Sequence, residues 1–164
     1  MFDYSKQIES FRDKKVRLGS DLKQKLYDHR KANRDRLINR LPGYIEDLRI
    51  SSGSFKPQGS MAVDTIIRTK FKYEEYDIDD GLVLWRDDLV DENGAEVSSD
   101  QVRKIVLKAL KDKRFVKQPK LVTNAVRVFY KEEDEERHHI DIPIYRKFED
   151  KDGRTIRELA GEDG

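Results

Sequence analysis

Gly59-Ser60, the pair Asp77 and Asp79, and the isolated Asp141 are residues whose types and spacing could do chemistry together. A Gly-Ser turn can hold a triphosphate through backbone N–H groups and a hydroxyl. Aspartates at i and i+2 of a strand project from one face. Asp141 lies in the apolar run His139-Ile140-Asp141-Ile142-Pro143, where an aspartate is costly unless a cation or hydrogen bonds answer its charge. Three clustered carboxylates repel one another unless divalent cations neutralise them. Two Mg²⁺ ions about 3.5–4 Å apart, or Mn²⁺ in their place, would do so and would clamp attacking and leaving oxygens. The chemistry is two-metal phosphoryl transfer.

Such groups need strands for the carboxylates and a turn entering a helix for the phosphates. Tyr76–Trp85 is the clearest strand: Ile78, Leu82, Val83, Leu84 and Trp85 are β-prone. Gly81 predicts a bulge just past the aspartates, and Asp80 points away from them by alternation. Asn124–Tyr130 and His138–Tyr145 predict a hairpin. Val126, Val128 and Tyr130 alternate on one arm, Ile140, Ile142 and Ile144 on the other, with the polar run Lys131–Arg137 as its tip. Asp141 then faces away from the isoleucines. Leu48–Gln58 fits a strand loosely, with a bend at Gly53, and carries the chain to the Gly-Ser turn. Met61–Ile67 predicts a short helix whose first N–H groups aim at an anion.

Residues 5–39 are helical in pattern. Leu18, Leu22 and Leu26 recur every fourth residue, and His29, Asn33, Leu37 and Leu41 extend the stripe. Gly19-Ser20 divides this stretch in two, with Ser20 as the cap of the second helix, and Pro42-Gly43 ends it. Ser98 opens another helix with Gln101 at the capping-box position; Val102, Ile105, Val106, Ala109 and Leu110 form its buried stripe. The charged stretch after Lys147, with Gly153, Gly161 and Gly164, predicts a loop. The whole is a mixed α/β (α+β) fold with a partly antiparallel sheet.

Charged residues make up 41% of the 164 and hydrophobic ones 36%, which predicts a modest core under a charged surface. A net charge of +1 gives no bias toward nucleic acid or acidic membranes, and nucleic acid is not expected as a partner. The absence of cysteine excludes disulfides, thiol catalysis and thiolate zinc sites. No apolar run approaches a membrane span and the N-terminus lacks a signal pattern, so a cytoplasmic protein is expected. His138 and His139 read as one residue at the hairpin edge and one packed, not as catalysts. The basic stretches Arg12–Arg17 and Arg103–Lys120 read as solvated helix faces.

Gln58-Gly59-Ser60-Met61, Tyr76 through Gly81, and His139 through Tyr145 resemble, in that order, the pattern of the DNA polymerase β-like nucleotidyltransferases. The closer resemblance is to the CD-NTases, bacterial relatives of cyclic GMP–AMP synthase that make cyclic oligonucleotides. The 16-residue spacer between Ser60 and Asp77 is similar to that branch. The resemblance implies a polymerase β-like catalytic lobe over residues 1–164: a long helical segment over 1–41, a catalytic core over 48–145, and a connecting loop over 147–164. It implies NTP substrates, ATP, GTP or others, with Asp77, Asp79 and Asp141 as catalytic metal ligands and Gln58, Gly59, Ser60 and Met61 at the donor phosphates. The product would be a cyclic di- or trinucleotide second messenger of antiviral defence, reaching a downstream effector. It implies a further, helical C-terminal lobe, without which the chain turns over weakly. The alternatives are a linear oligonucleotide maker or antitoxin-type nucleotidyltransferase, and a non-catalytic nucleotide- or RNA-binding module.

Overall fold

The structure, a computed structural model, describes residues 4–11, 19–59, 76–131 and 137–161. Among the described residues, three α-helices, α1 (Ser5–Phe11), α2 (Ser20–Arg40) and α3 (Ser99–Leu110), accompany six strands. The strands are β1 (Phe55–Gln58), β2 (Tyr76–Trp85), β3 (Lys120–Val122), β4 (Ala125–Lys131), β5 (Arg137–Glu149) and β6 (Thr155–Leu159). They form one sheet in the order β1-β2-β5-β4-β3, with β6 paired to the far half of β5. Only β2 and β5 run parallel; the other pairings are antiparallel. A parallel pair needs a crossover, and α3 with the β3–β4 hairpin lies in that connection.

Period-two alternation gives the sheet two unlike faces. Ile78, Leu82, Leu84, Val126, Val128, Ile140, Ile142 and Ile144 form one face and are buried in a single core with α2 and α3. Burial of each such side chain stabilises by roughly 1.5–3 kcal/mol. The stripe read along the first long helix is present: Leu26, Asn33 and Leu37 are buried on α2, and Leu41 just beyond it. The cap differs from expectation. Gly19 occupies the N-cap of α2 and Ser20 already lies in the first turn, its hydroxyl bonded to Asp21 at 3.1 Å. On α3 the capping box is formed as expected, Ser98 Oγ accepting from the Gln101 N–H and Gln101 Oε1 accepting from the Ser98 N–H.

Gly81 makes no bulge. It pairs in register with Lys56, and the β2–β5 ladder keeps one offset from Tyr76 to Trp85. A side chain there would meet Gln58 Nε2 at 2.7 Å and the Tyr145 ring at 3.1 Å, so close approach is the reason for glycine. The stretch after Lys147 is not a loop: β5 runs on to Glu149, turns through Asp150–Gly153 and returns as β6. Charged residues hid the alternation, because neither strand is covered on both faces. His138 and His139 are both buried, neither at an exposed edge. His138 Nε2 lies 2.8 Å from His29 Nδ1, and the His29 ring stacks on Tyr130 at 4.0 Å, tying α2 to the hairpin. Arg103, expected on a solvated face, is 1% exposed and donates to the carbonyls of Val122 and Thr123. The predicted Met61–Ile67 helix, the interior of the hairpin tip and Arg12–Arg17 lie outside the described residues.

Candidate active site

The carboxylates come together through register. Asp79 on β2 stands directly opposite Asp141 on β5, and Asp77 takes the position opposite His139. On the other side of β2, Gln58 is the register partner of Asp79. Three strands therefore bring Gln58, Asp79 and Asp141 into one row across the open face of the sheet. The side chain of Asp77, and Ser60 and Met61 entirely, lie outside the described residues. Among the described residues no three acidic or histidine side chains converge as a ready metal cage; the acidic centre there is the Asp79–Asp141 pair.

Gly59 follows Gln58 with a left-handed φ of 57°. A Cβ at this position would approach Asp79 Oδ2 to 2.8 Å. Glycine is thus required twice, by backbone conformation and by the carboxylate lying against the turn. Gln58 is oriented in turn by Tyr145, whose hydroxyl donates to Gln58 Oε1 at 3.1 Å. The row opens into a cleft of about 420 Å³, whose walls include Asn124, Arg127, Pro143 and Leu159. Arg103, through Val122 and Thr123, holds the β3–β4 turn that forms one side of this cleft.

Asp141 is 9% exposed, and its charge is answered by a cation. Arg127, its register partner on β4, donates from Nε to Oδ1 and from Nη2 to Oδ2, each at 2.7 Å. Bidentate pairs of this kind are among the stronger polar contacts in proteins. Asp80, one residue beyond Asp79, projects into the core as alternation predicts. It is 1% exposed and held by Arg34 of α2, with Arg34 Nε to Oδ2 at 2.7 Å and a second bond from Nη2 to Oδ1.

Arg127 is the site residue that sequence reasoning missed, while Tyr145 and Gly81 stood in the motifs without the role in placing Gln58 that the structure gives them. A signal for Arg127 was present: a hairpin with its tip centred between Lys131 and Arg137 places residue 127 opposite residue 141. Gly81 and Tyr145 meet only through three-strand packing around Gln58, which no local pattern records.

With this geometry established, comparison with known proteins is specific. Residues 53–145, more than half of the chain, match the model of the family described as cyclic GMP-AMP synthase DncV-like, nucleotidyltransferase domain. Among solved structures, the chain is similar to the Bradyrhizobium diazoefficiens CD-NTase CdnG in complex with GTP, at 22% identity and TM-score 0.60, covering 88% of this chain and 40% of that one. It is also similar to Vibrio cholerae DncV in the apo form, at 21% identity and TM-score 0.64, covering 92% of this chain and 52% of that one. The chain thus spans about half the length of these relatives or less. No curated protein matches by sequence. No described helix is long and apolar enough to cross a membrane. The row of Gln58, Asp79 and Asp141 beside a left-handed glycine falls within the matched region, and the chain belongs to the DncV-like nucleotidyltransferase domain family of the CD-NTases.

Proposed function

We propose that the chain is the catalytic lobe of a metal-dependent enzyme that joins NTPs by attack of a ribose hydroxyl on an α-phosphate, with pyrophosphate leaving. A second such attack closes the ring, giving a cyclic di- or trinucleotide signal of cytoplasmic antiviral defence that acts on a separate effector. The observation that carries this reading is Asp79 beside Asp141 on parallel strands, with Gln58 across β2 in the same row.

The residues fit divalent cations. Asp79 and Asp141 stand side by side, a carboxylate pair that divalent cations would neutralise, although Arg127 already answers part of the charge of Asp141. Asp77, Asp79 and Asp141 would hold the two ions, Mg²⁺ or Mn²⁺. When bound, these supply charge neutralisation and a lowered pKa at the attacking hydroxyl. Gln58, kept in place by Tyr145, and the turn of Gly59, Ser60 and Met61 cradle the donor phosphates. Asp79 lies against that turn, which brings the α-phosphate and the carboxylates within one another's reach. NTP substrates are supported by the relatives: CdnG was solved with GTP, and a DncV structure contains the linear intermediate 5′-pppA(3′,5′)pG. A further, helical lobe would wall the cleft and grip the bases.

The test is product analysis from labelled NTPs with Mg²⁺ or Mn²⁺, using this chain alone and the longest polypeptide that contains it. A phosphatase-resistant product from the longer polypeptide, with little from residues 1–164, is expected. A product that loses terminal phosphates to phosphatase while its internal phosphodiester survives would replace this reading with a linear-oligonucleotide maker. No incorporation in either case would leave a nucleotide-binding module.

A further inference from the structure

The open face of the sheet carries a second cleft, of about 390 Å³, at the far end of the strands from Gln58 and the carboxylates. Four cations line it: Arg49 before β1, Lys56 on β1, Lys147 on β5 and Arg157 on β6. Trp85 on β2 lies among them, opposite Lys147 in register, and Lys147 is in turn opposite Arg157. Lys147 Nζ sits 3.8 Å from the centre of a Trp85 ring, and the Arg49 guanidinium 5.4 Å from it. Burial, then the charges of Arg157, Arg49 and Lys56, push the Lys147 ammonium below its usual pKa.

Elsewhere this charge-balanced chain pairs many of its cations. Arg34 holds Asp80, Arg86 holds Glu96, and Arg146 holds Glu96 and Glu158. Here the nearby carboxylate is Asp88, already engaged by the Arg49 side chain and backbone N–H. Among the described residues, Lys56, Lys147 and Arg157 make no ion pair with a carboxylate. Like charges on neighbouring strands are destabilising, so the cluster holds repulsion that an anion would relieve. Two hydroxyls border the same cleft. Ser54 Oγ accepts the Ser51 backbone N–H at 3.2 Å, and each hydroxyl, of Ser51 and of Ser54, has a hydrogen of its own that it can donate.

We infer that this cleft is an anion site for a di- or triphosphate group, free or as the tail of a nucleotide, distinct from the donor site at Gly59. Three uncompensated cations and two hydroxyls match the charge and donor needs of such a group. The six residue steps along β2 from Asp79 to Trp85 span about 20 Å at 3.3 Å each. One phosphate chain therefore cannot serve both places, and the inference stands apart from the role of the carboxylates.

Trp85 is the only tryptophan, so its emission reports on this cleft. The chain is titrated with tripolyphosphate, and in parallel with ATP, without divalent metal. A saturable one-site change is expected. Lys147→Met and Arg157→Met should each weaken it about tenfold, the loss of one charged hydrogen bond. Asp141→Asn should leave it intact, which separates this site from the proposed active site. Tighter binding of ATP than of tripolyphosphate would identify the nucleotide as the source. Lys56→Met, at an exposed position, provides the same test should Lys147→Met melt early. Emission changes reproduced by sodium chloride at equal ionic strength, or variants binding like wild type, would overturn the inference. So would silence toward tripolyphosphate with binding of single-stranded RNA.

Discussion

Arg127 grips Asp141 from the neighbouring strand through two parallel bonds, so the second carboxylate of the row holds a cation of the protein's own. A dication that takes Asp141 must compete with this guanidinium. Arg127→Gln removes both the competitor and the charge compensation. In EDTA the variant should be less stable by about 1–3 kcal/mol, the cost of leaving a charged group without its partner. Mn²⁺ should raise its Tm by more than it raises that of the wild type. Melting curves with and without Mn²⁺ check this; an equal rise in both proteins would mean that Arg127 does not oppose metal binding.

Asp79→Ala and Asp141→Asn test the row itself. Each should reduce nucleotide transfer by at least about a hundredfold, as expected for groups that act where charge develops. NTP binding should weaken less than turnover, because the phosphate turn is untouched. Asp79→Ala should melt close to wild type, since a repulsive neighbour is removed. Turnover near wild type in either variant would remove the carboxylates from the chemistry.

Gly59→Ala places a methyl 2.8 Å from Asp79 Oδ2 on a backbone with φ of 57°. The left-handed conformation alone costs about 1–2 kcal/mol for a residue with a Cβ. Turnover is expected to fall further than stability does, because the displaced atom belongs to the acidic pair. Parallel measurement of kcat and Tm decides; a loss of Tm with kcat preserved would make Gly59 a turn residue only.

Asp112 gives the fold a sensitivity to acid. Its carboxyl is held well below the usual range by the Arg114 side chain, then by the Arg114 backbone N–H, with Arg40 adding a further bond. A depressed folded-state pKa contributes stability that is fully present above the unfolded value, about 3.9, and is lost as pH falls below it. Asp112→Asn should therefore lower stability at pH 7, where the contribution is fully present, and flatten the acid limb of a stability profile below about pH 4. An unaltered acid limb would assign the loss to other carboxylates.

Much of the site was legible in the sequence because strand alternation is local. Tyr76–Trp85 has the bounds read from its β-prone residues, and the isoleucines of β5 fix which way Asp141 faces. Residues that act across strands were not legible in the same way. Gly81 resembles a bulge until Gln58 and Tyr145 are seen packed over it. β6 was hidden because its Thr, Arg and Glu are satisfied by solvent and by Arg146, not by a core. Arg103 read as part of a basic run, yet it is buried by carbonyls that belong to a turn about twenty residues later.

Asp79 and Asp80 sit one place apart on β2, one in the cleft and the other sealed against Arg34. A slip of a single residue that brought Gly81 to Asp80's place would send Asp79 into the core and leave Arg34 without its carboxylate. Leaving such a buried charge unanswered costs about 3–5 kcal/mol. The Arg34–Asp80 pair therefore serves as a reading-frame marker against that slip: it supports the threading in which Asp79 meets Asp141. A one-residue insertion or deletion in β2 is expected to disturb that pairing in this lobe. Its chemistry can drift by substitution in the cleft wall, but the frame that presents the carboxylates is fixed from behind.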